Sequence, residues 1–168
     1  MSKYYEDSDY LSKVSDILEK SEFKKMEDIV HHGVNRLDHS IRVSYYSYLL
    51  SKFLRLDSEK VARAALLHDF FFEDNSELSR KDRMITMVKH PSYAVSNAKK
   101  HFEISEVEED IIASHMFPVA PRVPKYLESW LVDLVDDIAS IYERSSVISK
   151  QLSTATCFLV MILVNNLQ

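Results

Sequence analysis

His68-Asp69 closes the apolar run Val61-Ala-Arg-Ala-Ala-Leu-Leu67, so an imidazole and a carboxylate stand where a helix should be buried. Burying a carboxylate costs on the order of several kcal/mol unless it is paired or coordinates a metal. Both side chains are good ligands for a divalent ion. His39, His90 and His115, with one acid from the group Asp133, Asp136 and Asp137, could complete such a site. A core histidine bonded to one acid is the plainer structural solution for the dipeptide taken alone.

The elements that must position these residues read as helices. Tyr10, Leu11, Val14, Ile17 and Leu18 recur at helical spacing, and Phe23, Met26, Ile29 and Val30 suggest a second short helix that Gly33 ends. A longer helix from about Arg36 to Leu56 is apolar on two faces, with His39 heading one column and the Tyr45, Tyr46 and Tyr48 cluster expected in the core. From Ser58 to about Phe72, Val61, Ala64, Ala65, His68 and Phe72 form one stripe, which turns His68 inward. The charged stretch from Glu73 to Lys89 predicts a long connection or an irregular helix. Pro91 suits a first helical position and makes His90 a helix-entry residue.

Ser105-Glu-Val-Glu108 has the form of a capping box, and its helix leads to His115. Pro118, Pro121 and Pro124 predict an extended loop that could bring Arg122 and Lys125 over a site. In the helix from about Tyr126 to Arg144, the main apolar face is Leu127, Leu131, Leu134, Val135, Ile138 and Tyr142. Asp136 lies opposite, beside Val132 and Ala139, whose presence suggests some burial.

Composition narrows the class. A 168-residue chain that is 46% hydrophobic fits one domain, and a single Gly with four Pro leaves too few turn residues for a strand-rich fold. The expectation is all-α: N-terminal helices over about 3–30, a central part, and an apolar C-terminal helix over about 146–167. A formal charge of -5 without a long basic block argues against duplex nucleic acid and leaves small phosphorylated ligands open. Cys157 is the only cysteine, which excludes an internal disulfide and a cysteine zinc cluster and fits a reducing cytoplasm. The acidic N-terminus carries no readable secretory or transit signal. The apolar run Ala155 to Val164 is about half a transmembrane span, so it predicts a buried or partner-facing helix, with homo-oligomerisation as one use and no firm membrane insertion.

The order His39, His68-Asp69, His90, His115, Asp136 resembles the HD-domain metal-dependent phosphohydrolases over residues 36–143. Arg36-Leu-Asp-His39-Ser-Ile-Arg-Val, Ala64-Ala-Leu-Leu-His68-Asp69, His90-Pro-Ser-Tyr-Ala and Leu134-Val-Asp136-Asp-Ile-Ala-Ser are similar to that family's local contexts. The His90-Pro91 and His115-Met-Phe-Pro segments are similar to small bacterial HD proteins. The resemblance implies a compact all-α bundle in which His39, His68, Asp69 and Asp136 ligate metal. It makes His90 and His115 the added ligands of two-metal branches, Asp69 the bridge, and Asp69 with His68 the catalytic centre. Arg36 would contact substrate phosphate.

Mixed imidazole and carboxylate ligands suit one or two ions of Mn, Fe, Co, Ni or Zn better than Mg or Ca. The implied reaction is hydrolysis of a phosphomonoester or phosphoanhydride, with a nucleotide the expected substrate, by metal-activated water. The alternative is an HD fold that binds a nucleotide or a protein without turnover. Among narrower branches, cyclic-dinucleotide phosphodiesterases are disfavoured because a Gly-Tyr-Pro segment is missing and Met116 follows His115. Guanosine-polyphosphate hydrolases match poorly, since Glu73-Asp74 lies one residue too far along. Dinucleoside-polyphosphate hydrolases share the ligand order and chain length.

Overall fold

A computed structural model describes residues 3–31, 34–72 and 79–165. Its helices are α1 (Ser8–Leu18), α2 (Ser21–Lys24), α3 (Arg36–Leu54), α4 (Ser58–Leu67), α5 (Arg80–His101), α6 (Glu106–Ser114) and α7 (Leu127–Asn165). The fold is all-α, with one minor addition: β1 (Val30–His31) and β2 (Val34–Asn35) form a two-residue antiparallel pair, Val30 facing Asn35 and His31 facing Val34. The helix expected across Phe23 to Val30 is therefore short: α2 passes into a 3-10 turn over Lys25–Asp28 and then into β1. His32, Gly33, Glu73 and Asp74 lie outside the described residues.

Local chemistry sets the helix starts. Asp7, Asn35, Asp57 and Ser79 each accept a backbone N–H from three residues ahead, and Ser105 with Glu108 completes the capping box. Arg55 ends α3 in the left-handed conformation at φ 59, a position more often given to glycine. Buried Ser44 and Ser51 on α3 keep the helix slim on the side that meets α4, where Ala62, Ala64 and Ala65 are buried too. Ser44 Oγ accepts from the Tyr10 hydroxyl at 2.9 Å and donates to the Ala62 carbonyl at 2.6 Å, tying α1, α3 and α4 together. Tyr10, Val14 and Ile17 of α1, Phe23, Met26, Leu66, Phe70 and Ile111 are fully buried in the same core.

Four further sequence expectations change. α4 stops at Leu67, so His68 and Asp69 occupy the turn after the helix, not its body. α5 begins at Arg80, capped by Ser79, and Pro91 falls inside it, so His90 is a mid-helix residue, and of the two readings of the stretch up to Lys89 the helix applies from Arg80 on. In α7 the face called apolar is largely turned outward: Leu127, Leu134, Ile138 and Tyr142 are exposed, whereas Val132, Asp136, Ala139 and Glu143 are buried. Tyr46 is likewise exposed, while Tyr48 is in the core. Among the described residues, no helix is long and apolar enough to cross a membrane.

Candidate metal centre

His39 stands near the start of a helix, His68, Asp69 and His115 just past helix ends, and His90 and Asp136 within helices; the packing of α4 on α3 and α6, and of α7 on α3 and α6, turns them toward one place. His39 lies in the first turns of α3, His68 and Asp69 follow α4, His90 precedes Pro91 in α5, His115 follows α6, and Asp136 lies on the inner face of α7. The imidazoles form a chain, with ring centroids 5.3 Å apart for His39 and His68, 4.9 Å for His68 and His115, and 5.0 Å for His115 and His90. All six residues are buried.

Hydrogen bonds to the outer ring nitrogens aim the inner ones. His68 Nδ1 lies 2.7 Å from the Ala65 carbonyl and His115 Nδ1 2.8 Å from the Ile112 carbonyl. A carbonyl can only accept, so both Nδ1 atoms carry hydrogen, which in a neutral ring leaves Nε2 with a lone pair pointing inward. His39 Nδ1 is 2.9 Å from Glu143 Oε2, and Arg42 holds the other Glu143 oxygen. Inside, His39 Nε2 lies 2.9 Å and His68 Nε2 3.7 Å from Asp136 Oδ1. Asp69 turns Oδ2 to His68 Nε2 at 3.9 Å and Oδ1 to His90 and His115 Nε2 at 3.2 and 3.8 Å. Its two oxygens thus serve two sets of nitrogens.

The donor set fits a divalent cation. His39, His68 and Asp69 offer ligand atoms within 4.8 Å of one another, as do His68, His115 and Asp136, and Asp69, His90 and His115. His68 Nε2 is buried and has no hydrogen-bond partner, the signature of a lone pair reserved for something other than protein. Electrostatics divides the cluster. Burial opposes charge on His39, but Asp136 and Glu143 outweigh it and raise its pKa to about 10. For His115, burial and then the neighbouring His68 and His90 push the pKa down to about 3, leaving a neutral ring. Burial also opposes the Asp69 and Asp136 carboxylates, yet the surrounding imidazoles hold both pKa values below the usual range.

A cavity of about 260 Å³ opens beside these atoms, walled by Phe71, Met87, Met116 and Ile141 and edged by Thr86, Ser140 and Arg144. Arg36 does not line it. Its guanidinium is 2% exposed, lies 3.8 Å from the centre of the Phe71 ring, and donates to the Phe71 carbonyl. Phe71 in turn stacks on His90 at 5.0 Å, so Arg36 supports the cavity wall from behind, and a phosphate in the cavity would meet Phe71 first. Arg122 and Lys125 are not at the cavity either. Asp110 of α6 takes Arg122 Nη2 at 3.4 Å and the Lys125 backbone N–H at 2.9 Å, which anchors their loop elsewhere.

Asp136 is distinguished from its neighbours by geometry. Asp133 accepts the Phe117 N–H at 3.1 Å, its carboxyl pushed up to about 7 by burial and the charges of Asp137 and Asp136, and Asp137 is exposed at the cavity. Sequence reading missed Glu143 and Arg144. Glu143 could have been found from its place two turns beyond Asp136 on one face of a helix.

The HD domain family model matches residues 36–141, well over half of the chain. Searches of curated proteins and of solved structures found no match. The match spans His39, His68-Asp69, His90, His115 and Asp136, the residues whose ligand atoms converge. The chain belongs to the HD-domain family of metal-dependent phosphohydrolases.

Proposed function

We propose that this protein hydrolyses a phosphomonoester or phosphoanhydride of a small nucleotide-like molecule, in the cytoplasm, using one or two divalent ions. The observation that carries the reading is the unpartnered, buried His68 Nε2 set among Asp69, Asp136 and His115. His39, His68, Asp69 and Asp136 would hold one ion, and His90 and His115, sharing Asp69, a second. The imidazole-rich set favours Mn, Fe, Co, Ni or Zn. When bound, such an ion supplies Lewis acidity and a water of lowered pKa.

The chain's own residues do the rest. Glu143 and Arg42 fix the His39 ring, and the Ala65 and Ile112 carbonyls fix His68 and His115, so little reorganisation is left for the reaction. Arg144 and Ser140, one turn apart at the cavity edge, supply a cation and a hydroxyl for a phosphate. Phe71 offers an aromatic face and Met87, Met116 and Ile141 an apolar wall for the non-phosphate part of the substrate, which suits a base or a ribose edge. Arg36 positions Phe71 and lends positive field to Asp69.

The test is phosphate release from nucleoside mono- and polyphosphates and dinucleoside polyphosphates, with each of these metals supplied in turn. Turnover by the native chain that disappears in His68→Ala supports the reading. Stoichiometric metal without turnover on any of them favours binding without catalysis, and a chain that takes up no metal refutes the site.

A further inference from the structure

We infer that the outward face of α3 and α7 is a docking surface for a second copy of this chain, making a two-fold dimer. A groove of about 780 Å³ runs between these helices, lined by Tyr46, Leu50, Phe53, Ile138 and Tyr142. Phe53 is 82% exposed, Tyr142 66%, Ile138 58% and Tyr46 57%. Phe53, Tyr46 and Tyr142 alone leave on the order of 400 Å² open, within the range of the biggest patch on an ordinary monomer. Leu49, Leu54, Leu127, Leu134 and Ile138 extend the area to about 800 Å², which is what each partner contributes to a standard stable interface.

The shape and the charge select a second copy over other occupants. Beside the groove, Leu127 and Leu134 stand on α7 as an apolar ridge. A surface carrying ridge and groove side by side is self-complementary about a two-fold axis, and pairing two such helix layers gives a four-helix bundle. α7 is one continuous helix from Leu127 to Asn165, so it cannot turn back to cover its own groove. Arg42 is the only charged residue lining the groove among the described residues, and Glu143 already holds it, which leaves nothing for an acidic or basic partner to read. The inference is independent of which substrate the site takes.

Sedimentation of the full chain tests it. The native protein should run at twice its 19.6 kDa mass at about 10 µM. The double variant Phe53→Glu with Ile138→Glu should raise the dimer dissociation constant at least about 100-fold while helicity and metal content stay unchanged. A native chain that is monomeric at about 100 µM overturns the proposal. So does a dimer that survives the double variant, or a monomer that instead cosediments with anionic vesicles. Should the double variant lose helicity, Ile138→Cys in a Cys157→Ser background decides. A short bismaleimide should then join two copies, and failure to do so overturns the proposal.

Discussion

α4 buries apolar residues alone, whereas α7 buries apolar and ionisable residues side by side. α4 follows the ordinary rule: Val61, Ala62, Ala64, Ala65, Leu66 and Leu67 are all buried, and its contribution to the site comes only after it ends, at His68-Asp69. α7 departs from the rule over its first half: it buries Leu131, Val132, Val135 and Ala139 but also Ser129, Asp133, Asp136 and Glu143, and it leaves Leu127, Leu134, Ile138 and Ile141 exposed. The difference shows what each helix is selected for. α4 is held by hydrophobic transfer, whereas α7 is held in part by partners for its acids: Asp136 by His39, Glu143 by His39 and Arg42, and Asp133 by the Phe117 N–H. Such a helix is kept in place by polar groups that must all be satisfied at once.

Substitution can break this contrast. On the inner face of α7, Asp136→Asn should strip metal and reduce turnover on the order of 10³-fold, measured by metal analysis and phosphate release. Two residues away on the outer face, Leu134→Ala should leave both unchanged. For stability, Leu66→Ala in α4 should cost about 2–5 kcal/mol in urea unfolding. Leu134→Ala, measured in the monomeric protein, should stay within about 0.5 kcal/mol. Equal costs would mean that α7 is packed like α4 after all.

Smaller effects sharpen it. Glu143→Gln keeps an acceptor for His39 but removes the charge, and metal affinity should fall about 10- to 100-fold by competition titration. The two ends of the imidazole chain should also differ in their proton balance. In the metal-free protein His39 keeps its proton up to about pH 10, whereas His115 is neutral above about pH 3. An ion binding near neutral pH must therefore displace about one proton from His39 and none from His115, so binding tightens as pH rises through the neutral range. Calorimetry in buffers of different ionisation enthalpy measures that proton, and a value near zero would contradict the pairing of His39 with its two carboxylates.

The parts of the site that were legible in the sequence are those where a polar residue interrupts an apolar pattern. His39 and His68 replaced core positions in a helical stripe, and the capping box at Ser105 led directly to His115. Glu143 and Arg144 were hidden because a charged pair on a helix reads as solvated surface, and only the fold shows that one of them meets His39. The start of α5 was missed for a related reason. The charges of Arg80-Lys-Asp-Arg83 outweighed the apolar Met84, Ile85, Met87 and Val88 that follow, and Pro91 looked like a beginning. Arg36 was placed by resemblance at the phosphate, where spacing alone could not tell that Phe71 would lie over it.

The continuity of α7 sets how this protein can diversify. Ligand, orienting carboxylate and cavity cation recur on one side of a single rod, and the leucines and aromatics on the other. Because a helix separates its two sides by phase and not by distance, mutations on the outer side can alter association while the inner register stays fixed. An insertion or deletion of one residue between Asp136 and Glu143 would instead rotate one set against the other by about 100° and damage both at once. Lineages of this chain should therefore vary by substitution on the outer side of α7 while tolerating no change in its length over that interval.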